Sequence, residues 1–261
     1  MKRLFLLMLS LATILSAQAW SGIGNQATRI LAKGFLNPEV QNEYARIWRL
    51  NKKYPVEKSD VSDVKPKDPR WAKVSLDDDL RSTTTYEGDV VVQLEQAAEV
   101  LRNRANHSEK EQIEAMRTIT YNMILLHTFG NVRIKGNKLT EGFIIQLSPG
   151  AAADEKNNKM RNYKWQTLWN RGILIRHYGY TADMYAEELT IAHGDDKEAF
   201  SAGTIRDWAA DVGAELSKQL EGARPNMVID KLEILEMERV NDRLMAKAGF
   251  RLAALINEVL K

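Results

Sequence analysis

The chain has 261 residues, with 37 Lys+Arg against 35 Asp+Glu and no cysteine. Lack of cysteine excludes disulfides and thiolate-held metals. The near balance of charge excludes a chain-wide electrostatic footprint for nucleic acid or an anionic membrane, leaving only a local patch to provide one.

Residues 1–19, MKRLFLLMLSLATILSAQA, begin basic at Lys2 and Arg3, run apolar from Leu4 to Leu15 and end in the small-residue stretch Ala17-Gln18-Ala19. This pattern reads as a secretory signal peptide. Its apolar core is too short for the about 20 residues of a membrane span, and no cysteine follows to take a lipid. Cleavage after Ala19 would remove 19 of the 261 residues, leave 242 and make Trp20 the amino terminus. Loss of Lys2 and Arg3 takes the 37 basic residues to 35, level with the 35 acidic ones. The chain is therefore expected to be exported, periplasmic or secreted, as a single domain over residues 20–261.

Asn37-Pro38 predicts a cap and first helical residue, opening a helix through about Leu50. Residues 51–70, with Pro55, Pro66 and Pro69, read as a long surface loop. Asp77, Asp78 and Asp79 lack the spaced ligands and glycine of a calcium loop, so they read as a solvated turn. Asp89 is placed to cap VVVQLEQAAEVLRNRA, and Ser108 with Glu111 forms a capping box. That box starts a helix running into MILLHTFGNVRIKGN, residues 123–137, whose apolar density suits a buried helix and directs His127 inward. Gly130 is expected to supply a left-handed turn at the helix end.

Residues 139–154 read as a short strand or extended loop, and residues 157–161 as polar and exposed. Thr181 caps a short helix, and Thr204 another through about Leu220. The last helix is expected from Met227, with an apolar stripe at Val240, Leu244, Ala248, Leu252, Leu255, Ile256 and Val259. The reading is an all-α, mostly helical domain with long loops. Trp165, Trp169 and Trp208 are expected between helices, or with one of them stacking a base. There is no phosphate-cradling glycine loop and no serine nucleophile motif.

Seven pieces, AWSGIGNQATRILA, RWAKVSLDDDL, VVQLEQAAEVLRN, LLHTFGNVRIKGN, WQTLWNRGIL, DWAADV and AGFRLAALINEVL, follow one another across nearly all of the mature chain. Together they resemble the secreted zinc-dependent nucleases of the S-one/P-one type, whose helical fold is shared with zinc-dependent phospholipase C. The resemblance implies that fold and three zinc ions in a cleft, with zinc-generated hydroxide attacking a phosphodiester. It also implies a ligand set that can be read position by position. Trp20 matches the amino-terminal tryptophan that ligates through its amine and carbonyl. Asn25, Ala72, Asn137 and Gln166 stand where histidines are expected; Leu50, Asn131 and Asn170 stand where aspartates are expected. Of these eight implied side-chain ligands, only His127 keeps its identity.

An amide oxygen is a weak neutral ligand, and alanine and leucine are none, so no bound zinc and no phosphodiesterase activity are expected. Amides replacing crowded carboxylates relieve the repulsion that would follow loss of the metal. Arg133 and Lys135, within one degenerate motif, and Lys164 and Arg171, flanking another, are candidates to hold an anionic small molecule or nucleotide if they face inward. The alternative is an active zinc-dependent single-strand endonuclease and 3′-nucleotidase acting on nucleic acid. It would need the remaining histidines, but His177 and His193 have no HExxH-type partner, and His107 precedes a helix cap and is expected to be exposed.

Overall fold

A computed structural model describes residue 20 and residues 22–55, 69–83, 89–151, 159–172 and 179–261. The expected signal peptide, residues 56–68 of the expected surface loop, residues 157–158 and His177 lie outside the described residues.

Helix α1 (Gly22–Gly34) packs onto α6 (Ala182–His193) and α9 (Lys231–Val259) through Ala27, Leu31 and Ala32. Gly249 makes this approach possible, because a Cβ there would lie 2.6 Å from Leu31 Cδ2. α2 (Pro38–Arg49) begins on proline as expected, but Asn37 does not cap it with its side chain. Instead, the Asn37 N–H donates to Asn257 Oδ1 (2.8 Å), while Asn257 Nδ2 donates to Phe35 O (3.1 Å). A tertiary amide thus replaces the local cap.

The other caps are local. Asp89 accepts from the Val91 and Val92 N–H groups to open α3 (Val90–Arg102), and its second oxygen accepts from Ser75 N. Ser108 and Glu111 close the capping box of α4 (Glu109–Leu126), which packs closely on α3. Thr181 caps α6, and Thr204 with Asp207 caps α8 (Ile205–Leu220). Between α6 and α8 lies the one-turn α7 (Lys197–Ser201). Because such caps are made within three residues, the sequence exposes them directly.

Helices dominate, but the all-α reading needs correction: there are two small sheets. β1 (Val74–Leu76) runs parallel to β2 (Val132–Ile134). β3 (Ile144–Leu147) lies between antiparallel β4 (Arg161–Lys164) and parallel β5 (Val228–Ile229). The second sheet also corrects the start of the last helix. Val228 and Ile229 pair with Gln146 and Leu147, and Asp230 then caps α9, so the helix opens at Lys231 rather than Met227.

α9 has 29 residues, about 43 Å at 1.5 Å per residue. It serves as the central post, packing against α1, α3, α4, α6 and α7. Of its expected stripe, Leu244, Ala248, Leu252, Leu255, Ile256 and Val259 are buried and Val240 is partly so. No helix among the described residues is long and apolar enough to cross a membrane.

Candidate functional site

His127 follows the last residue of α4, and its ring is wholly buried. Nδ1 lies 2.8 Å from Met123 O, and Nε2 lies 2.8 Å from Arg251 Nη1 on α9. A guanidinium only donates, so Nε2 must accept; the ring proton is then on Nδ1 and donates to the carbonyl. Burial, reinforced by the Arg251 charge, holds the imidazole well below its usual range. Both nitrogens are committed, and the lone pair that would hold a metal is taken up by a cation.

The contact extends into a network. Arg251 donates from Nε to Phe200 O (2.8 Å) and from Nη2 to Asp211 Oδ2 (2.6 Å). Lys247 donates to both Asp211 oxygens at 2.9 and 2.8 Å. Aromatic faces complete the surroundings, Trp208 lying against Arg251 and Phe200 against Lys247. Burial alone would raise the Asp211 carboxyl, but the hydrogen bond from Lys247 and the charge and hydrogen bond of Arg251 outweigh it and hold the group below its usual range. Two cations from α9 thus share one carboxylate from α8. These three residues were not legible as a site: Lys247 and Arg251, four apart on a helix, look like a solvated pair. The one signal was that both interrupt the apolar run of the last helix.

The buried neutral ring has a consequence for pH. Unfolded, His127 takes a proton below about 6.5; folded, it resists doing so. The unfolded chain therefore binds the extra proton. This contribution to stability is whole above about pH 6.5 and declines as pH falls below it, by at most about 1.4 kcal/mol per pH unit. His127→Gln should flatten the fall in urea-unfolding free energy between pH 7 and 5. Equal slopes in both proteins would contradict a neutral ring.

The positions singled out by the resemblance have varied fates. The buried Trp20 indole donates to Asn241 Oδ1 on α9 (2.8 Å). Leu50 packs against the core and Ala72 lies within it. Asn131 Nδ2 donates to Leu125 O (3.3 Å), and Asn137 Oδ1 accepts from Leu139 N–H to start a 3-10 turn. Asn25 is buried on α1 with Oδ1 unpartnered. Gln166 and Asn170 lie on α5 (Trp165–Thr167) and the π-helical turn Leu168–Gly172 that continues it. The Gln166 amide rests on Gly142, and the Asn170 amide rests on Gly130.

These amides do not form a self-satisfied polar core. Asn25 Oδ1, Gln166 Nε2 and Asn170 Oδ1 are buried without a hydrogen-bond partner, as is the neighbouring Trp169 Nε1. Each such group costs about 1–3 kcal/mol.

Gly130 does not make the left-handed turn expected of it. It sits in the 3-10 turn Phe129–Asn131, and positive φ falls instead at Gly136 and Gly142. What position 130 requires is close approach, because a Cβ there would lie 2.5 Å from Asn170 Oδ1 and 2.8 Å from Nδ2. Gly130→Ala should cost about 1–3 kcal/mol in urea unfolding through this overlap. In an Asn170→Ala background most of that cost should disappear, which a double-mutant cycle would measure.

Among the candidate cations whose side chains are described, Arg133 alone is not fully exposed. It is half-buried, and its Nη1 donates to Gly130 O (2.9 Å) and Val132 O (2.8 Å). Lys135 and Lys164 are exposed, and the Arg171 side chain lies outside the described residues. His107 pairs with Glu111 (3.6 Å) and His193 with Asp196 (3.7 Å). Asp77 Oδ1 accepts from Arg81 N–H in a turn where Asp78 and Asp79 are exposed, as a solvated acidic run should be. Trp165, Trp169 and Trp208 are all buried. Trp165 and Trp169 pack with Phe129 and Phe143 at centroid distances of 4.7–6.5 Å.

This donor set does not fit three zinc ions. The one imidazole accepts from a guanidinium, and the other implied positions supply amides or aliphatic groups. No group of three or more His, Cys, Asp or Glu among the described residues is placed to hold a metal. Compared with family models and with curated proteins, the chain matches none.

Proposed function

We propose that the chain is an exported protein with the fold of the S-one/P-one zinc nucleases and phospholipase C, in which a fixed charge network has taken the place of the metal centre. On this reading it has no phosphodiesterase activity of its own and acts by binding an anionic small molecule or nucleotide in the former cleft. The observation that carries the reading is the Nε2 of His127, the one implied side-chain ligand that is retained, accepting from Arg251 at 2.8 Å. Arg251 and Lys247 bring permanent positive charge to the centre, with Asp211 as their counter-ion. Such charges need no metal and cannot activate water as zinc does. The seven motif pieces in family order support the fold, and the amino-terminal pattern supports export.

The test is metal analysis of the purified protein after exposure to zinc, paired with assays on single-stranded DNA and 3′-nucleotides. Less than one equivalent of zinc and no chelator-sensitive turnover are expected. Close to three equivalents, with turnover that a chelator abolishes, would establish the active nuclease instead.

A further inference from the structure

Three of the unpartnered buried atoms belong to one turn of chain: Gln166 Nε2, Trp169 Nε1 and Asn170 Oδ1. Their positions, three and four residues apart, share one side of a helical turn that widens into the π-helical segment Leu168–Gly172. Turns of this kind are rare and recur at functional sites. Trp169 is 1% exposed and Asn170 9%, so neither atom is satisfied by bulk solvent.

Arg133 meets the turn at Gly130. Its Nη1 holds Gly130 O, while the Asn170 amide covers the Cα of the same glycine, so Gly130 separates the guanidinium from the turn by a single residue. The charge of Glu141 acts on Arg133 without a direct ion pair, and the Nη1 bonds of Arg133 go to backbone carbonyls. The group thus offers donors that cannot accept (the Trp169 indole and the guanidinium), an amide donor at Gln166 and a single acceptor at Asn170.

We propose that Arg133, Gln166, Trp169 and Asn170 form a subsite for a small oxyanion that also carries a hydroxyl, hydrogenphosphate being the simplest. The anion's oxygens accept from Arg133, Trp169 Nε1 and Gln166 Nε2, and its hydroxyl donates to Asn170 Oδ1. The turn is closed in the present arrangement, with the two amides resting on Gly142 and Gly130. Entry requires the turn to lift from these glycines, which have no side chains to hold it. In the closed state the three polar atoms lack partners; in the liganded state each gains one. The inference rests on the proposed function only in placing this turn at the former cleft.

The probe is inorganic phosphate, with sulfate, an oxyanion without a hydroxyl at neutral pH, as comparator at matched ionic strength. In 15N-labelled protein the Trp169 indole resonance is identified by its loss in Trp169→Phe. Phosphate should move it downfield and saturably, with at least tenfold higher affinity than sulfate. Arg133→Met should weaken phosphate at least tenfold, and Arg133→Lys should recover part of the loss. A resonance that phosphate leaves in place, or that both anions move alike, would overturn the subsite, as would undiminished binding by Arg133→Met. The phosphate–sulfate comparison on the unmodified protein decides even if a variant fails to fold. Zinc content measured on the same sample separates the two proposals: three bound zinc ions would sink the proposed function alone, and an unmoved indole would sink the subsite alone.

Discussion

Asp211→Asn is expected to lower the unfolding free energy by about 3–5 kcal/mol, the cost of breaking a buried ion pair from one side. Its partners cannot return to water. The side chains of Arg251 and Lys247 are 5% and 9% exposed, and both direct their charge at this carboxylate. Asparagine keeps the shape but offers one acceptor oxygen to two cations and adds a donor facing them. Because the Asp211 side chain is itself 34% exposed, the lower half of that range is favoured. Lys247→Met should cost much less, since it removes the surplus cation and leaves the Arg251–Asp211–His127 chain intact. Glu236→Gln, in an exposed pair with Arg239, should stay within about 0.5 kcal/mol. Urea unfolding at pH 7 measures all three.

The sign with pH is fixed by the Asp211 carboxyl, whose folded-state value lies below its unfolded one. Its contribution is present above about pH 4 and is lost as pH falls through the folded value. The unmodified protein and Asp211→Asn should therefore converge in stability in strong acid. A loss under 1 kcal/mol at pH 7, or curves that stay parallel, would show that the network does not hold the centre together.

Legibility in the sequence followed the range of the interaction. Asp89, Ser108 with Glu111, Thr181 and Thr204 were readable because a cap bonds backbone within three residues of itself. Asn37 looked the same but is held by Asn257, 220 positions away, which no local pattern encodes. β5 stayed hidden for the same reason: Val228 pairs with Gln146 across 82 positions, and a two-residue strand carries no periodicity of its own, whereas β3 falls within residues 139–154, which read as a short strand or extended loop. Gly130 was read as a conformational glycine when it is a packing glycine, and its demand for space is visible only once Asn170 is set against it.

At the candidate site, the sequence directed His127 inward, and it is buried, but the partners of the ring were hidden. A lysine and an arginine four apart on a helix have the same spacing whether they face water or a buried aspartate. Of the cations in and beside the two motifs, Arg133 is half-buried, whereas Lys135 and Lys164, chosen on the same grounds, are exposed. In β2, side chains alternate, so Arg133 lies on the face opposite buried Val132 and Ile134, and it is half-buried because its guanidinium folds back onto the Gly130 and Val132 carbonyls. Trp169 could not have been assigned an unpartnered indole from composition, because that depends on the aromatic rings of Phe129 and Trp165 surrounding it.

Trp20→Ala is the second large loss expected, about 3–5 kcal/mol. The side chain is 2% exposed and among the largest fully buried ones, so truncation leaves an aromatic-sized cavity beside α9. It also strips Asn241 Oδ1 of its donor in a residue that is 1% exposed. Trp20→Phe separates the two contributions, because it keeps most of the volume and loses the indole N–H, and should cost about 1–3 kcal/mol. The comparison also bears on what Trp20 does. The resemblance assigns Trp20 a role through its backbone amine and carbonyl, a role that phenylalanine would fill equally well. A structural anchor depends instead on the side chain, and here it ties the residue to the helix that supplies Lys247 and Arg251. If urea unfolding ranks Trp20→Ala below Trp20→Phe below the unmodified protein, with the middle step at least about 1 kcal/mol, the indole and its Asn241 bond anchor this residue to α9. A phenylalanine variant as stable as the original would return the position to a role played by backbone atoms alone.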